Sequence, residues 1–221
     1  MSPEPYLIGI AGPSCSGKSE VSRRVAEVLG ASILSLDSYY RDLSHLSLEE
    51  RAAVNFDAPE SMDSALLIRQ VRDLALGIAV RKPIYDFSRH TPSSEIELIE
   101  PTEFVVVEGL FALHWKDVRD LMHTRVFISA DHEACFDRRL FRDVRERGRT
   151  VESVEKQYRE TVRPMCDKYI MPTLRYAHLV LNGVAPLERS VRFVTSQVRE
   201  SKALFESKAG LAVPSPLLAT A

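Results

Sequence analysis

The chain has little to hold it together covalently. Its 221 residues include three cysteines, Cys15, Cys135 and Cys166, an odd number widely scattered. They match neither a disulfide framework nor a metal-ligand spacing, and a reducing, cytoplasmic setting is the expectation. Long apolar runs are also missing. Glu108 interrupts the longest candidate, so no membrane span is expected. The opening Met1-Ser2-Pro3-Glu4-Pro5 has no basic stretch followed by an apolar one, so no secretion signal is expected. Neither sign of charge dominates: 29 basic and 31 acidic residues leave a formal net charge of −2. That balance gives no reason to expect nucleic acid or an anionic membrane as the main partner, and any anion site must be a local concentration of cations. Internal repeats and low-complexity blocks are absent. So are an Asn-Lys-x-Asp guanine-reading motif and a Leu-Ser-Gly-Gly signature, which argues against a nucleotide-dependent switch and an ATPase motor. A hydrophobic content of 45% with 27% charged residues is that of a soluble globular protein with one sizeable core.

What is present starts at residue 12. Gly12-Pro13-Ser14-Cys15-Ser16-Gly17-Lys18-Ser19 is a complete G-x-x-x-x-G-K-[ST] phosphate-binding loop. Ahead of it, Tyr6–Ala11 is an apolar run of buried-strand type. Behind it, Val21, Val25, Val28 and Leu29 recur at helical spacing. A strand, a glycine loop and a helix N-terminus aim backbone N–H groups at one point, where the helix dipole also favours negative charge. Lys18 would reach the β- and γ-phosphates, and the Ser19 hydroxyl would ligate Mg²⁺. A bound nucleoside triphosphate follows.

Strand candidates alternate with helical patterns further on, which predicts an α/β fold, a parallel β-sheet sandwiched by helices. A second strand spans Ala31–Leu36 and ends at Asp37; a short helix is expected around 48–53 and another over 61–76, with its face at Leu67, Val71 and Leu74 and its stop at Gly77. Residues 78–100 break the rhythm. Ile84–Phe87 and Glu95–Ile99 read as a β-hairpin insertion standing over one end of the sheet. Phe104–Val107, Arg125–Ile128 and Leu179–Leu181 are the remaining strands. Leu187, Val191, Val194 and Val198 mark the last helix. One domain over 1–207 is expected, with a disordered tail at 208–221.

Two acids close predicted strands. In an open α/β sheet the carboxyl ends of strands face the ligand crevice. Glu108 stands where a phosphate-loop enzyme places a magnesium-directed acid, and Asp37 would lie across from the γ-phosphate. Ser19, Glu108 and Asp37 are therefore the candidate metal residues. Residues 138–149 hold six arginines against Asp143 and Glu146. Phe136, Leu140 and Val144 would keep one apolar face of this helix for packing while the cations project from the others. Guanidinium forks match phosphate oxygens, and Gly148 offers a hinge, so an arginine lid over about 138–155 is expected. Tyr85, Phe87 and His90 on the hairpin could frame a planar ligand, although spacing alone does not identify a base site.

Taken in order, several stretches resemble the uridine kinase (uridine–cytidine kinase) family of P-loop kinases. They are Gly9–Gly12 with the loop, Leu36-Asp37-Ser38-Tyr39-Tyr40-Arg41-Asp42, Asn55-Phe56-Asp57, Pro83–Phe87 through His90, and Glu108-Gly109. Arg142–Arg149, Gln157-Tyr158 and Val162–Met165 complete the set. The resemblance implies phosphorylation of a pyrimidine ribonucleoside, uridine and also cytidine, at its 5′-hydroxyl by ATP or GTP. Asp37 then falls on the catalytic carboxylate, with Lys18, Arg142 and Arg147 at the donor phosphates. Asp57 and Arg139 fall on residues holding the ribose. Tyr85, His90, Arg149 and Gln157 fall around the pyrimidine, and Ser19 and Glu108 on the magnesium site. A homo-oligomer, commonly a tetramer that responds to pyrimidine triphosphates, is also implied. The chain departs from the family at Ala58, where His is usual, and at Pro92, where Arg is usual; both positions bear on the choice between uridine and cytidine. Tyr176-Ala177-His178 and Asn182-Gly183 depart near the donor base, where they leave ATP and GTP open. A kinase of another small alcohol, such as phosphoribulose or pantothenate, and a non-catalytic nucleotide-binding regulator are the alternatives.

Overall fold

The computed structural model describes residues 4–211, with side chains to residue 207. In chain order the elements are β1 (Tyr6–Ala11), α1 (Lys18–Leu29), β2 (Ser32–Ser35), α2 (Leu48–Ala52), α3 (Ser64–Ala75), β3 (Val80–Asp86) and β4 (Thr91–Ile99). They continue with β5 (Phe104–Glu108), α4 (Lys116–Arg119), β6 (Thr124–Ser129), α5 (His132–Arg147), α6 (Val151–Gln157), α7 (Arg163–Met165), β7 (Leu179–Asn182) and α8 (Leu187–Leu211). One π-helical turn precedes α7 and another follows it.

The apolar runs make one parallel sheet in the order β2-β5-β1-β6-β7. Alternation along each strand splits its side chains between two layers. Leu7, Val105, Val107 and Phe127 pack with Leu67, Val71 and Leu74 of α3 on one face. Ile8, Ile10, Val106, Val126 and Ile128 pack on the other with Val21 and Val25 of α1 and Val191, Val194 and Val198 of α8. Each such fully buried aliphatic contributes roughly 1.5–3 kcal/mol. This is the expected sandwich.

Its details differ from the sequence pattern where local polar chemistry intervenes. Val28 is exposed, so the buried face of α1 is narrower than its spacing suggested. β2 stops at Ser35, and a 3₁₀ turn carries Leu36 to Tyr39, Asp37 among them. The Asp63 carboxylate accepts from the Leu66 amide and starts α3 later than Ser61. The hairpin is a separate antiparallel pair whose register shifts between Pro83 and Tyr85. α8 runs to Leu211, past the point where order was expected to end, and the rest of the expected tail, 212–221, lies outside the described residues.

Candidate active site

β1 lies at the centre of the sheet with β5 on one side and β6 on the other, so the chain leaves its carboxyl end into the crevice between diverging connections. Gly12 begins that exit at φ 155°, and a Cβ there would sit 2.4 Å from the Ile128 carbonyl oxygen. Only glycine lets the loop pass this close to β6. Gly17 caps α1 without a side-chain hydrogen bond, which leaves the first N–H groups of that helix open to an anion. Lys18 is buried, with 8% of its surface exposed.

Beside the loop, Glu108 pairs in register with Ile10 and with Ser35. Its carboxylate accepts the Ser19 hydroxyl at 3.2 Å and the Ser35 hydroxyl at 2.7 Å. A carboxylate and a hydroxyl form a hard oxygen set, which suits Mg²⁺, an ion that keeps several waters and takes few protein ligands. Among the described residues no group of three or more His, Cys, Asp or Glu side chains is placed to hold a metal by itself.

A cavity of about 840 Å³ opens from the loop. Ser14, Cys15, Gly17, Lys18, Ser19 and Asp37 line one part of it. Asp57, Tyr85, His90, Arg139, Arg142, Arg147, Arg149 and Gln157, drawn from distant segments, line it too. Gly12, Pro13, Ser16 and Glu108 are not in its wall: the first three shape the loop from behind, and Glu108 meets it through Ser19. Sequence spacing did not single out Tyr40, Phe56 and Leu110 as lining residues, whereas Arg138 belongs to the arginine run that it did. Tyr40 and Phe56 could have been found, because each sits inside a stretch that already contained a candidate acid.

The hairpin side of the cavity is aromatic. The Tyr40 ring lies 5.3 Å from both Phe56 and Tyr85, Phe87 lies 5.2 Å from Tyr85, and His90 stacks on Phe56 at 5.2 Å. His90 adopts a left-handed φ of 51°. The hairpin tip beside it is held by Arg51, which donates to the Arg89 carbonyl, and by Thr91, which donates to Asp42. Burial pushes the Tyr85 phenol up to about 12, and its buried hydroxyl has no protein partner. Burial raises the Asp57 carboxyl, an effect that Arg139 opposes. Burial, followed by the charges of Arg149, Arg147 and Arg51, pushes the His90 imidazole down and favours its neutral form.

The arginine helix corrects its expected orientation. Val144 is exposed, and so is Phe141, whereas the buried positions of α5 are Cys135, Arg139 and Asp143. The helix therefore turns a charged stripe inward, which is stable only because the stripe is internally paired. Arg139 donates to the Ser14 hydroxyl and to Gln157, both at 3.0 Å, and Arg149 donates to the same Gln157 oxygen. Arg138 donates to the Gly183 carbonyl at 3.0 Å and approaches the Cys15 and Ser16 carbonyls at 3.4 Å. Gly148 ends α5 at φ 63°, and Thr150 caps α6, so the expected lid is a helix-turn-helix.

Comparison with known proteins agrees with this geometry. The profile of the Phosphoribulokinase / Uridine kinase family matches residues 7–188. The chain is 42% identical over 184 residues to a uridine kinase of Clostridium tetani, covering 82% of this chain and 88% of that one. It is 41% identical over 200 residues to a uridine kinase of Ligilactobacillus salivarius, covering 89% and 94%. Among solved structures, a phosphoribulokinase from Rhodobacter spheroides superposes with a TM-score of 0.61 at 15% identity, covering 83% of this chain and 74% of that one. A gluconokinase from Sinorhizobium meliloti gives 0.54 at 16%, covering 92% and 97%. At such identities the two structures speak for the fold alone.

Proposed function

The chain belongs to the Phosphoribulokinase / Uridine kinase family, and from that premise we propose that it transfers the γ-phosphoryl group of ATP or GTP to the 5′-hydroxyl of uridine, and of cytidine. The observation that carries this reading is a single cavity lined at once by the phosphate loop, by Asp37 and by the aromatic side chains of Tyr40, Phe56, Tyr85 and Phe87. A sugar phosphate or a flexible acid would not need that cluster of rings, whereas a planar base with directed hydrogen bonds would.

The Asp37 carboxylate accepts the proton of the 5′-hydroxyl as that oxygen bonds to the γ-phosphorus, and the nucleoside diphosphate departs from the opposite side. Lys18, Arg142 and Arg147 offset the charge on the phosphates. Asp57 and Arg139 hold the ribose hydroxyls. His90, in its neutral form, offers one donor and one acceptor to the pyrimidine edge, with Tyr85, Arg149 and Gln157 around it. Mg²⁺ would be held by Ser19 and Glu108, with Asp37 as a further oxygen donor, and when bound it neutralises phosphate charge. A homo-oligomer in the cytoplasm, a tetramer by family resemblance, completes the reading.

A coupled assay with uridine, cytidine, ribulose 5-phosphate and pantothenate, each with ATP and with GTP, tests it. Turnover with the two nucleosides is the expected result. Turnover confined to either of the other alcohols, or none at all, overturns it.

A further inference from the structure

Among the described residues Asp143 is the most enclosed charged side chain, with none of its surface exposed. It belongs to the inward stripe of α5, one turn beyond Arg139 and one before Arg147. Four guanidinium groups surround it. Arg142 binds one carboxylate oxygen through Nε at 2.9 Å and Nη2 at 2.8 Å. Arg147 stands 3.6 Å from the same oxygen, and Arg139 and Arg149 each stand 3.6 Å from the other. The backbone joins in: the Asp143 carbonyl accepts the amides of Gly148 and Arg149 and so closes the turn that aims Arg147 and Arg149.

These four arginines divide between the two substrates of the proposed reaction. Arg142 and Arg147 belong to the donor phosphates; Arg139 and Arg149 share Gln157 on the acceptor side, and Arg139 also reaches Ser14 of the phosphate loop. Left alone, four like charges at this spacing would splay toward water, since each gains by leaving the others. A fully buried carboxylate at their centre opposes that tendency by attracting all four, without cancelling their charge. Three of the four contacts lie beyond hydrogen-bond length, and one Asp143 oxygen and the Arg139 Nε have no hydrogen-bond partner. The array is thus held by charge and kept short of saturation, and its guanidinium groups retain donors for incoming oxygens.

We propose that Asp143 is a positioning residue: a buried counter-charge that holds the donor-side and acceptor-side arginines in one register, so that binding of either substrate favours binding of the other. This rests on the uridine kinase reading above. Asp143 touches neither substrate and works through the arginines alone.

Asp143→Asn, which keeps the shape and removes the charge, and Asp143→Glu, which keeps the charge but displaces it by one methylene, test the proposal in the full chain. The readouts are steady-state kinetics with uridine and ATP, melting temperature, and binding of a non-hydrolysable ATP analogue with and without uridine. For a folded Asp143→Asn, kcat/KM is expected to fall about 100-fold, the cost of misplacing groups by about an ångström. Uridine should tighten the analogue in the parent chain several-fold, by the reciprocity of linked binding, and leave it unchanged in the variant. Asp143→Glu should melt like the parent and lie between the two in activity. A folded Asp143→Asn within threefold of the parent, with uridine still tightening the analogue, overturns the proposal. If that variant does not fold, a fully active Asp143→Glu overturns it, because the exact place of the charge then does not matter. A parent chain inert toward uridine would sink the substrate reading instead. Analogue binding, expected about tenfold weaker in Asp143→Asn, would still judge Asp143.

Discussion

At the phosphate-loop end of the cavity, which the proposed reaction gives to the donor, the chain offers backbone together with cations: eight consecutive residues, an uncapped helix start, Gly12 where no side chain fits, and Lys18. The other end, which the proposed reaction gives to the acceptor, is walled by side chains from separate segments: Tyr40, Phe56, Tyr85 and His90 cluster there, and α5, α6 and the turn between them bring Arg139, Gln157 and Arg149. Backbone N–H groups recognise any phosphate, since they read charge and not identity. Side chains set at fixed distances can read a ring, a hydroxyl and a polar edge. Generic donor and selective acceptor are what a kinase of one alcohol needs, and Asp37, on the 3₁₀ turn after β2, faces the cavity they share.

The largest effect that could break this division is at Asp37. Asp37→Asn should lower kcat by about 10³-fold, within the range typical of a lost general base, while the affinity for an ATP analogue stays within twofold of the parent. Calorimetric binding beside steady-state kinetics checks it. A variant that loses donor affinity and turnover together would place Asp37 at the donor end only.

A smaller effect would sharpen the division. Tyr85→Phe removes a buried hydroxyl that has no protein partner. If that group is held for a base, KM for uridine should rise about tenfold, the worth of one hydrogen bond in a dry site, with KM for ATP unchanged. An unchanged KM for uridine, or a gain in melting temperature without kinetic cost, would assign the hydroxyl no ligand.

The smallest effect is the response to acid. Burial and neighbouring arginines lower His90, and burial likewise lowers His114, His123 and His178. The unfolded chain then takes up protons on these imidazoles before the folded one does. Stability should therefore be full above their ordinary value of about 6.5 and decline as the pH falls below it. The Leu7 amide donates to Nδ1 of His123, which requires the neutral ring. KM for uridine should rise over the same acidic window more than KM for ATP, because the proposed reaction sets His90 beside the acceptor. Thermal melts and kinetics between pH 5.5 and 8 read both. A melting temperature that rises on acidification would contradict the direction.

The same contrast governs what could be read from sequence. The phosphate loop, its strand and its helix were legible because their geometry is written in contiguous residues. The parallel sheet followed from alternating patterns of two periods, and Leu67, Val71, Leu74, Val191, Val194 and Val198 lie where spacing put them. The acceptor pocket was not legible from spacing, since its rings meet only after the chain has folded. There the resemblance to a known family supplied the residues that the cavity then brought together. The inward face of α5 was misread for a definite reason. Periodicity assigns burial to Phe136, Leu140 and Val144, and it cannot foresee that Asp143 compensates four arginines well enough to bury Arg139 beside it.

A bisubstrate compound, adenosine and uridine joined through their 5′-oxygens by a tetraphosphate, puts the shared cavity to the most direct trial. Titrated by calorimetry, it should bind at least 100-fold more tightly than either ATP or uridine, since the second half arrives at high effective concentration, and Lys18→Ala and Tyr85→Phe should each weaken it. Affinity no better than that of ATP, insensitive to Tyr85→Phe, would mean that the two ends do not open onto one another.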